Sequence, residues 1–262
     1  MPDRQPLFLV GAQRSGTTAL GHAISAAHER ADGCFTVNGK LFYLALRWIT
    51  ADDVTARHLR ADELSHALDR RPAGGAGAAR WRERVETALR AAAARVADGS
   101  AETPESLIRQ VAAAGYGGGP WGDKYNEYLL DLPYLLRLYP RARWLFVYRR
   151  PAEVAASMLA WSGDRPWRPA GAEGCEAKWA EWNDRWLRFR DRLVPGNRLE
   201  LDYDTLCTDS GLRQVSRFAG VDLPPGCMHR RQPPAAATPA RHPATAEVWA
   251  RLCALSPAAA SV

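Results

Sequence analysis

The sequence predicts an α/β fold in three layers: a central parallel β-sheet flanked by helices, with a helical insertion. Three observations carry this. Short apolar runs recur at Leu7–Val10, Arg143–Tyr148 and Arg198–Tyr203, and suit strands buried within a sheet. The segments between them show helical spacing of apolar residues. The first run passes through a short polar loop straight into such a segment. Strands alternating with helices argue for parallel pairing, and ligands of such sheets bind at the carboxyl ends of the strands. That rule places the Gly11–Thr18 loop, Lys124 and Arg149 on one rim.

Leu7, Phe8, Leu9 and Val10 form the opening strand, which ends at Gly11. From Thr17 the apolar residues return as Leu20, Ala23, Ile24 and Ala27, which is helical spacing. His22 and His28 on this helix read as structural. His28–Gly33 turns, Cys34–Val37 reads as a short strand and Lys40–Ile49 as a helix packed on the core. Asp52–Leu68 reads as helical through Val54, Leu59, Leu64 and Leu68. Arg71–Ala79, rich in Pro, Gly and Ala, is a loop or a connector. Trp81, Val85, Ala88, Leu89, Ala92 and Val96 mark one face of an amphipathic helix. Thr103–Pro104 is a cap followed by a first-turn proline, opening a helix that Gly115–Gly119 ends. The stretch from about 50 to 115 is therefore a helical insertion in the α/β unit, either covering a substrate site or serving as scaffold.

Trp121–Lys124 reads as a short strand edge. Tyr125–Tyr139 is helical by its leucines, with Pro133 near the true start. After the Arg143–Tyr148 strand, Pro151 opens a helix running to Trp161. Gly163–Gly174 is a loop. Cys175–Leu193 is a helix whose Trp179, Trp182, Trp186 and Phe189 form a core stripe. Gly211–Ala219 is a helix, and from about 224 to 262 Pro and Ala dominate, with an amphipathic piece at Glu247–Leu255. The whole reads as one domain over residues 1–262.

A hydrophobic content of 47% with 24% charged residues fits a globular chain with a sizeable core. No apolar run approaches ~18 residues and no basic leader precedes one, so a cytoplasmic protein without membrane attachment is expected. The five cysteines are scattered without CxxC spacing, which points to reduced thiols and no metal site. The net charge of +6 reflects either an Arg-rich composition or an anionic ligand. No long Lys/Arg block suggests nucleic acid.

Strand, tight loop and helix together present backbone N–H groups and a positive helix end to a phosphate. Ser15, Thr17 and Thr18 add hydroxyls and Arg14 adds a charge. The glycines of Gly11–Ala12–Gln13–Arg14–Ser15–Gly16–Thr17–Thr18 match the spacing of a GxxxxGK[ST] loop, but Thr17 stands where the lysine belongs. The loop is thus a phosphate cradle poorly suited to a Mg-nucleoside triphosphate, or an ordinary capped turn. Arg149 follows a buried strand, with Ser157 two helical turns on. Two anion sites suit a nucleotide with separate phosphate groups.

With these residues in place, the chain resembles the PAPS-dependent sulfotransferase family (PAPS is 3′-phosphoadenosine 5′-phosphosulfate). LVGAQRSGTTAL resembles the 5′-phosphosulfate loop, with Arg14 where many members have Lys. WLFVYRRPAEVAASM resembles the 3′-phosphate motif, which puts Arg149 and Ser157 on the 3′-phosphate. LELDYDTLCTDSGLRQVSRFAGV resembles the later strand, turn and helix, and brings in Tyr203. The resemblance implies a P-loop-like sulfotransferase fold. It also implies PAPS as donor with PAP as product, no metal, and a small-molecule hydroxyl as acceptor, a secondary metabolite being one option. Arg14 is the cation for charge growing on the leaving 5′-phosphate. Lys124 matches the family's active-site lysine. The His that cytosolic relatives carry after Lys-x is replaced by Asn126, and Val37–Tyr43 offers no carboxylate. Asp123 and Glu127 are the candidate bases, or helix N-terminal charges. Arg230, Arg231 and Arg241 are the cations available for the family's C-terminal basic loop. A small-molecule kinase and a non-catalytic nucleotide-binding protein are the alternatives.

Overall fold

A computed structural model describes residues 5–101, 103–162, 167–230 and 241–255. In chain order the elements are β1 (Leu7–Val10), α1 (Thr17–Arg30), β2 (Cys34–Val37), α2 (Leu41–Trp48), α3 (Ala51–Thr55), α4 (Ala61–Asp69), α5 (Ala78–Ala97), α6 (Pro104–Tyr116) and β3 (Trp121–Lys124). There follow α7 (Leu132–Leu138), β4 (Arg143–Tyr148), α8 (Pro151–Leu159), α9 (Ala172–Phe189), β5 (Arg198–Asp202), α10 (Tyr203–Leu206), α11 (Asp209–Ala219) and α12 (Pro243–Cys253). The strands form a five-stranded parallel sheet in the order β2-β3-β1-β4-β5, flanked by helices. The expected three-layer α/β class is therefore what the chain adopts.

The contacts divide the chain into two compact units. One runs from Gly21 to Ala142 and takes the start of β1 through Phe8. The other joins Leu9–Leu20 to the chain from Arg143 onward.

In the first unit, Phe8 is the hub of an aromatic cluster. It meets Phe42 and Tyr128 edge to face, at 5.6 and 5.7 Å between ring centres. Helices α3 to α6 occupy the stretch expected to be an insertion. Thr103 caps α6 by accepting from the Ser106 N–H, with Pro104 in the first turn, as the sequence predicts.

Three local expectations are corrected. Asp52–Leu68 is not one helix: Asp53 and Thr50 form a capping box that opens α3, and the chain breaks at Arg57, whose φ is 53°. The break persists because Arg60 returns to Asp53 at 3.0 Å before α4 begins. Tyr125–Tyr139 is likewise divided, a 3₁₀ turn over Asn126–Leu130 preceding α7. Finally, β3 lies inside the sheet rather than at an edge. Its short, polar sequence conceals this, but Gly122 lets the strand in: a Cβ there would stand 2.1 Å from the Leu7 carbonyl oxygen.

In the second unit, β4 alternates its faces. Phe146 stacks on Trp186 of α9, with ring centres 4.7 Å apart and planes within 6°. Trp179, Trp182, Trp186 and Phe189 are all buried, so the aromatic stripe of α9 is core. The C-terminal α12 packs on α9, and the Glu176 carboxylate receives the backbone N–H of Arg241 at 2.6 Å and of His242 at 3.2 Å where that helix begins.

Candidate functional site

The second unit gathers most of the residues expected to bind a nucleotide. Gly11 ends β1 where a Cβ would stand 2.2 Å from the Val147 carbonyl oxygen, so only glycine lets the loop leave the sheet so close to β4. The loop then turns through positive φ at Arg14 (70°) and Gly16 (92°) and enters α1 at Thr17. Gly16 faces the Tyr203 ring. Ser15 and Thr17 are buried, Thr18 is exposed, and the Ser15 hydroxyl has no hydrogen-bond partner among the described residues. A buried hydroxyl without a partner is costly unless a ligand supplies one. With the first N–H groups of α1 beside it, this loop fits a phosphate.

Two guanidiniums are held by the same device. Arg14 donates from Nε to the Ser157 hydroxyl at 3.0 Å, and its guanidinium lies 4.3 Å from the centre of the Trp161 ring. Arg149 donates from Nε to Glu153 Oε2 at 2.6 Å, and its guanidinium lies 4.5 Å from the centre of the Tyr203 ring. In each case Nε is engaged and the guanidinium carbon lies over an aromatic ring. The Nη edge, which is the edge that grips phosphate bidentately, has no hydrogen-bond or ion-pair partner among the described residues. Burial, and secondarily the charge of Arg149, pulls the Arg14 pKa down.

The surroundings are ionic. Arg230 pairs with both Glu153 and Asp204, and Arg150 reaches Asp204 at 3.4 Å. Three arginines, Arg149, Arg150 and Arg230, thus pair with two carboxylates. Asp202 caps α10 by accepting from the N–H groups of Asp204 and Thr205 at 3.0 and 2.9 Å, which fixes the backbone beside Tyr203. The Trp179 indole donates to the Arg149 carbonyl at 3.0 Å and fixes that corner too. Burial raises the Tyr203 pKa.

Among the expected site residues, the structure therefore brings together the loop, Arg149, Tyr203 and Arg230. Arg231 lies outside the described residues. The resemblance puts Ser157 on the 3′-phosphate with Arg149; in the structure its hydroxyl accepts from Arg14, because two turns into α8 it faces the loop. Sequence reasoning missed Glu153, Asp204 and Trp161. The first had a signal, an acid four residues after Arg149 on a helix.

In the first unit, Lys124 and Asp123 have different surroundings. Lys124 is buried and its Nζ donates to Asn38 Oδ1 at 2.9 Å and Asn126 Oδ1 at 2.7 Å. Asp123 has no exposed surface, and its carboxylate accepts four hydrogen bonds. These come from the Thr36 hydroxyl (2.8 Å), the Tyr128 hydroxyl (2.6 Å) and the N–H groups of Gly39 (3.0 Å) and Lys40 (3.1 Å). They hold a turn in which Asn38 and Lys40 have φ of 61° and 52°. Burial pushes the Asp123 pKa up to about 6, against the pull of these donors. Glu127 is half-buried in the 3₁₀ turn.

Among the described residues no cluster of His, Cys, Asp or Glu is arranged to hold a metal ion, and no helix is long and apolar enough to cross a membrane. All five cysteines are free thiols.

The profile described as the sulfotransferase family matches residues 6–225. Among solved structures, the sulfotransferase domain of the olefin synthase of Synechococcus PCC 7002 is similar, with a TM-score of 0.50 and 18% identity over 89% of this chain and 80% of that one. Sulfotransferase STF9 of Mycobacterium avium aligns over 97% of this chain and 76% of its own, at 17% identity and a TM-score of 0.49. A sulfotransferase of Alicyclobacillus acidocaldarius aligns over 96% and 95%, at 16% identity and a TM-score of 0.48. No curated protein matches the chain. The profile takes in β1, the Arg14 loop, all of the sheet and the arginine cluster up to α11, and the chain belongs to the sulfotransferase family.

Proposed function

We propose that this sulfotransferase takes its sulfuryl group from PAPS and delivers it to a hydroxyl of a small-molecule acceptor. The observation that carries the donor assignment is the pair of guanidiniums, each pinned through Nε and stacked on a ring, each offering its Nη edge. A nucleotide with two separate phosphate groups gives each edge an anion. When bound, PAPS supplies the sulfuryl group, and its 5′-phosphate is what leaves.

The chain's part is electrostatic. Ser15, Thr17, Thr18 and the N–H groups of the loop would hold the 5′-phosphate. Arg14 stabilises negative charge growing on the bridging oxygen, and as an arginine it does so without giving up its proton. Arg149 grips the 3′-phosphate, and Tyr203 offers a ring to the adenine side. Ser157 serves first to hold Arg14, and its own proton remains available to an anion. Arg230, tied to Glu153 and Asp204, closes the cluster from the C-terminal side.

On the acceptor side, Lys124 is the cation, oriented by Asn38 and Asn126. Asp123 acts as a clamp: its carboxylate has no exposed surface and accepts from four donors, so it holds the turn rather than meeting an acceptor. Glu127 is the remaining candidate for the base.

Calorimetric titration with PAP and with ATP–Mg tests the donor. PAP should bind with micromolar or better affinity and ATP–Mg far more weakly. Label transfer from isotopically labelled PAPS across an acceptor panel then separates an enzyme from a binding protein. Tighter binding of ATP–Mg than of PAP would overturn the donor assignment.

A further inference from the structure

Glu153, Ser157 and Trp161 follow one another at four-residue steps along α8 and the turn that ends it. Residues four apart share one helix face. Glu153 serves Arg149, while Ser157 and Trp161 both serve Arg14. The two contacts on Arg14 do different things. A hydrogen bond to Nε anchors one edge of a guanidinium but leaves it free to swing about that bond. A ring beneath the guanidinium carbon restricts the swing. Together they leave the Nη edge one direction.

Trp161 is 36% exposed, whereas the tryptophans of α9 are core. Burial does not explain an indole left at the surface. Its ring contacts among the described residues are with Arg14 and, edge to face at 6.3 Å, with Trp167. Arg168 donates to the Trp161 carbonyl at 2.6 Å and fixes the backbone that carries the ring. The indole face is the negative end of its quadrupole, so it attracts the guanidinium and keeps water from one side of it. It also offsets the repulsion that Arg14 feels from Arg149.

We propose that Trp161 is a positioning residue for Arg14, setting the plane in which that guanidinium meets the donor's 5′-phosphate. The proposal rests on the PAPS reading above. A lysine at position 14 keeps a cation–π attraction to the indole but has no plane to set, so the indole should matter less to a lysine than to an arginine.

The test is PAP affinity by calorimetry for the parent, Trp161→Ala, Trp161→Phe, Arg14→Lys, and Trp161→Ala combined with Arg14→Lys. Trp161→Ala should weaken PAP about five- to tenfold, within the range of a partly desolvated cation–π contact. Trp161→Phe should stay within about twofold of the parent. In the Arg14→Lys background, Trp161→Ala should change affinity less than about twofold. Parental affinity in Trp161→Ala would overturn the proposal. So would an equal loss in both backgrounds, which would mean general damage to the site. If Trp161→Ala does not fold, Trp161→Leu against Trp161→Phe decides, since only the phenyl ring has a π face. A parent that binds no PAP refutes the donor reading itself and takes this proposal with it; a parent that binds PAP with an indifferent Trp161 refutes only the latter.

Discussion

Gly16→Ala probes the loop where it touches the Tyr203 ring. At φ 92° an alanine is outside its comfortable backbone range, which costs about 1–2 kcal/mol. Its Cβ would also stand 2.5 and 2.6 Å from two carbons of the Tyr203 ring. No atom pair tolerates that, so ring or loop must move, at a cost of about 1–3 kcal/mol for an overpacked contact. The expected total is about 3 kcal/mol, or a melting temperature lower by roughly 6–12 °C in a chain of this size. PAP affinity should fall as well, because the displaced ring is the one stacked on Arg149. Denaturant unfolding of four proteins separates the two costs: the parent, Gly16→Ala, Tyr203→Ala and the double variant. With the ring gone, the alanine should cost only its backbone share, so the two substitutions should couple by about 1–3 kcal/mol. Additive effects, or a Gly16→Ala variant as stable as the parent, would refute the packing of Tyr203 on this loop.

Arg149→Ala should weaken PAP about 10- to 100-fold, the worth of a charge-assisted contact, without moving the melting temperature by more than a few degrees; calorimetry and a thermal melt check both. Arg14→Ala should fold normally and lose about 100-fold in kcat for PAPS turnover, the usual effect of removing a donor from developing charge. Asn38→Ala should lower kcat about tenfold and leave PAP affinity unchanged, since Lys124 loses the acceptor that holds its Nζ at 2.9 Å. Asp123 gives a pH signature. Its pKa rises from 3.8 to about 6 on folding, so the folded chain binds more protons than the unfolded one between those values. The stability it contributes is complete below about 4 and is lost as pH rises through about 6, by up to about 3 kcal/mol. Denaturation midpoints at pH 4.5 and 7 should shift less in Asp123→Asn than in the parent; equal shifts would count against the buried, titrating carboxylate.

Much of this was readable from residue types. The runs LFLV and RWLFVY suit buried strands, and the α9 tryptophans recur at spacings that fit a single helix face. The phosphate loop announced itself by its glycines and by the absent lysine at Thr17. What sequence could not show was pairing at a distance. Ser157 and Arg14 are 143 residues apart, and nothing local says that a serine in the Arg149 motif will serve the other arginine. For Asp123 the residue type offers a candidate base or a helix N-terminal charge, and nothing beside Lys124 says that four donors will converge on it. The break in Asp52–Leu68 was hidden for a simpler reason: an Arg in left-handed conformation is permitted there by an ion pair that closes only in the folded chain.

The four-residue step along α8 also bears on how this stretch tolerates change. Each residue of a helix turns the chain by about 100°, so one residue added or lost between Glu153 and Trp161 swings everything beyond it away from the loop. Arg149 would keep its carboxylate while Arg14 lost hydroxyl and indole in a single event. Point substitutions can retune either grip separately; changes of length cannot. Between positions 149 and 161, the residue count is a tighter constraint than the identity of any side chain that touches neither arginine.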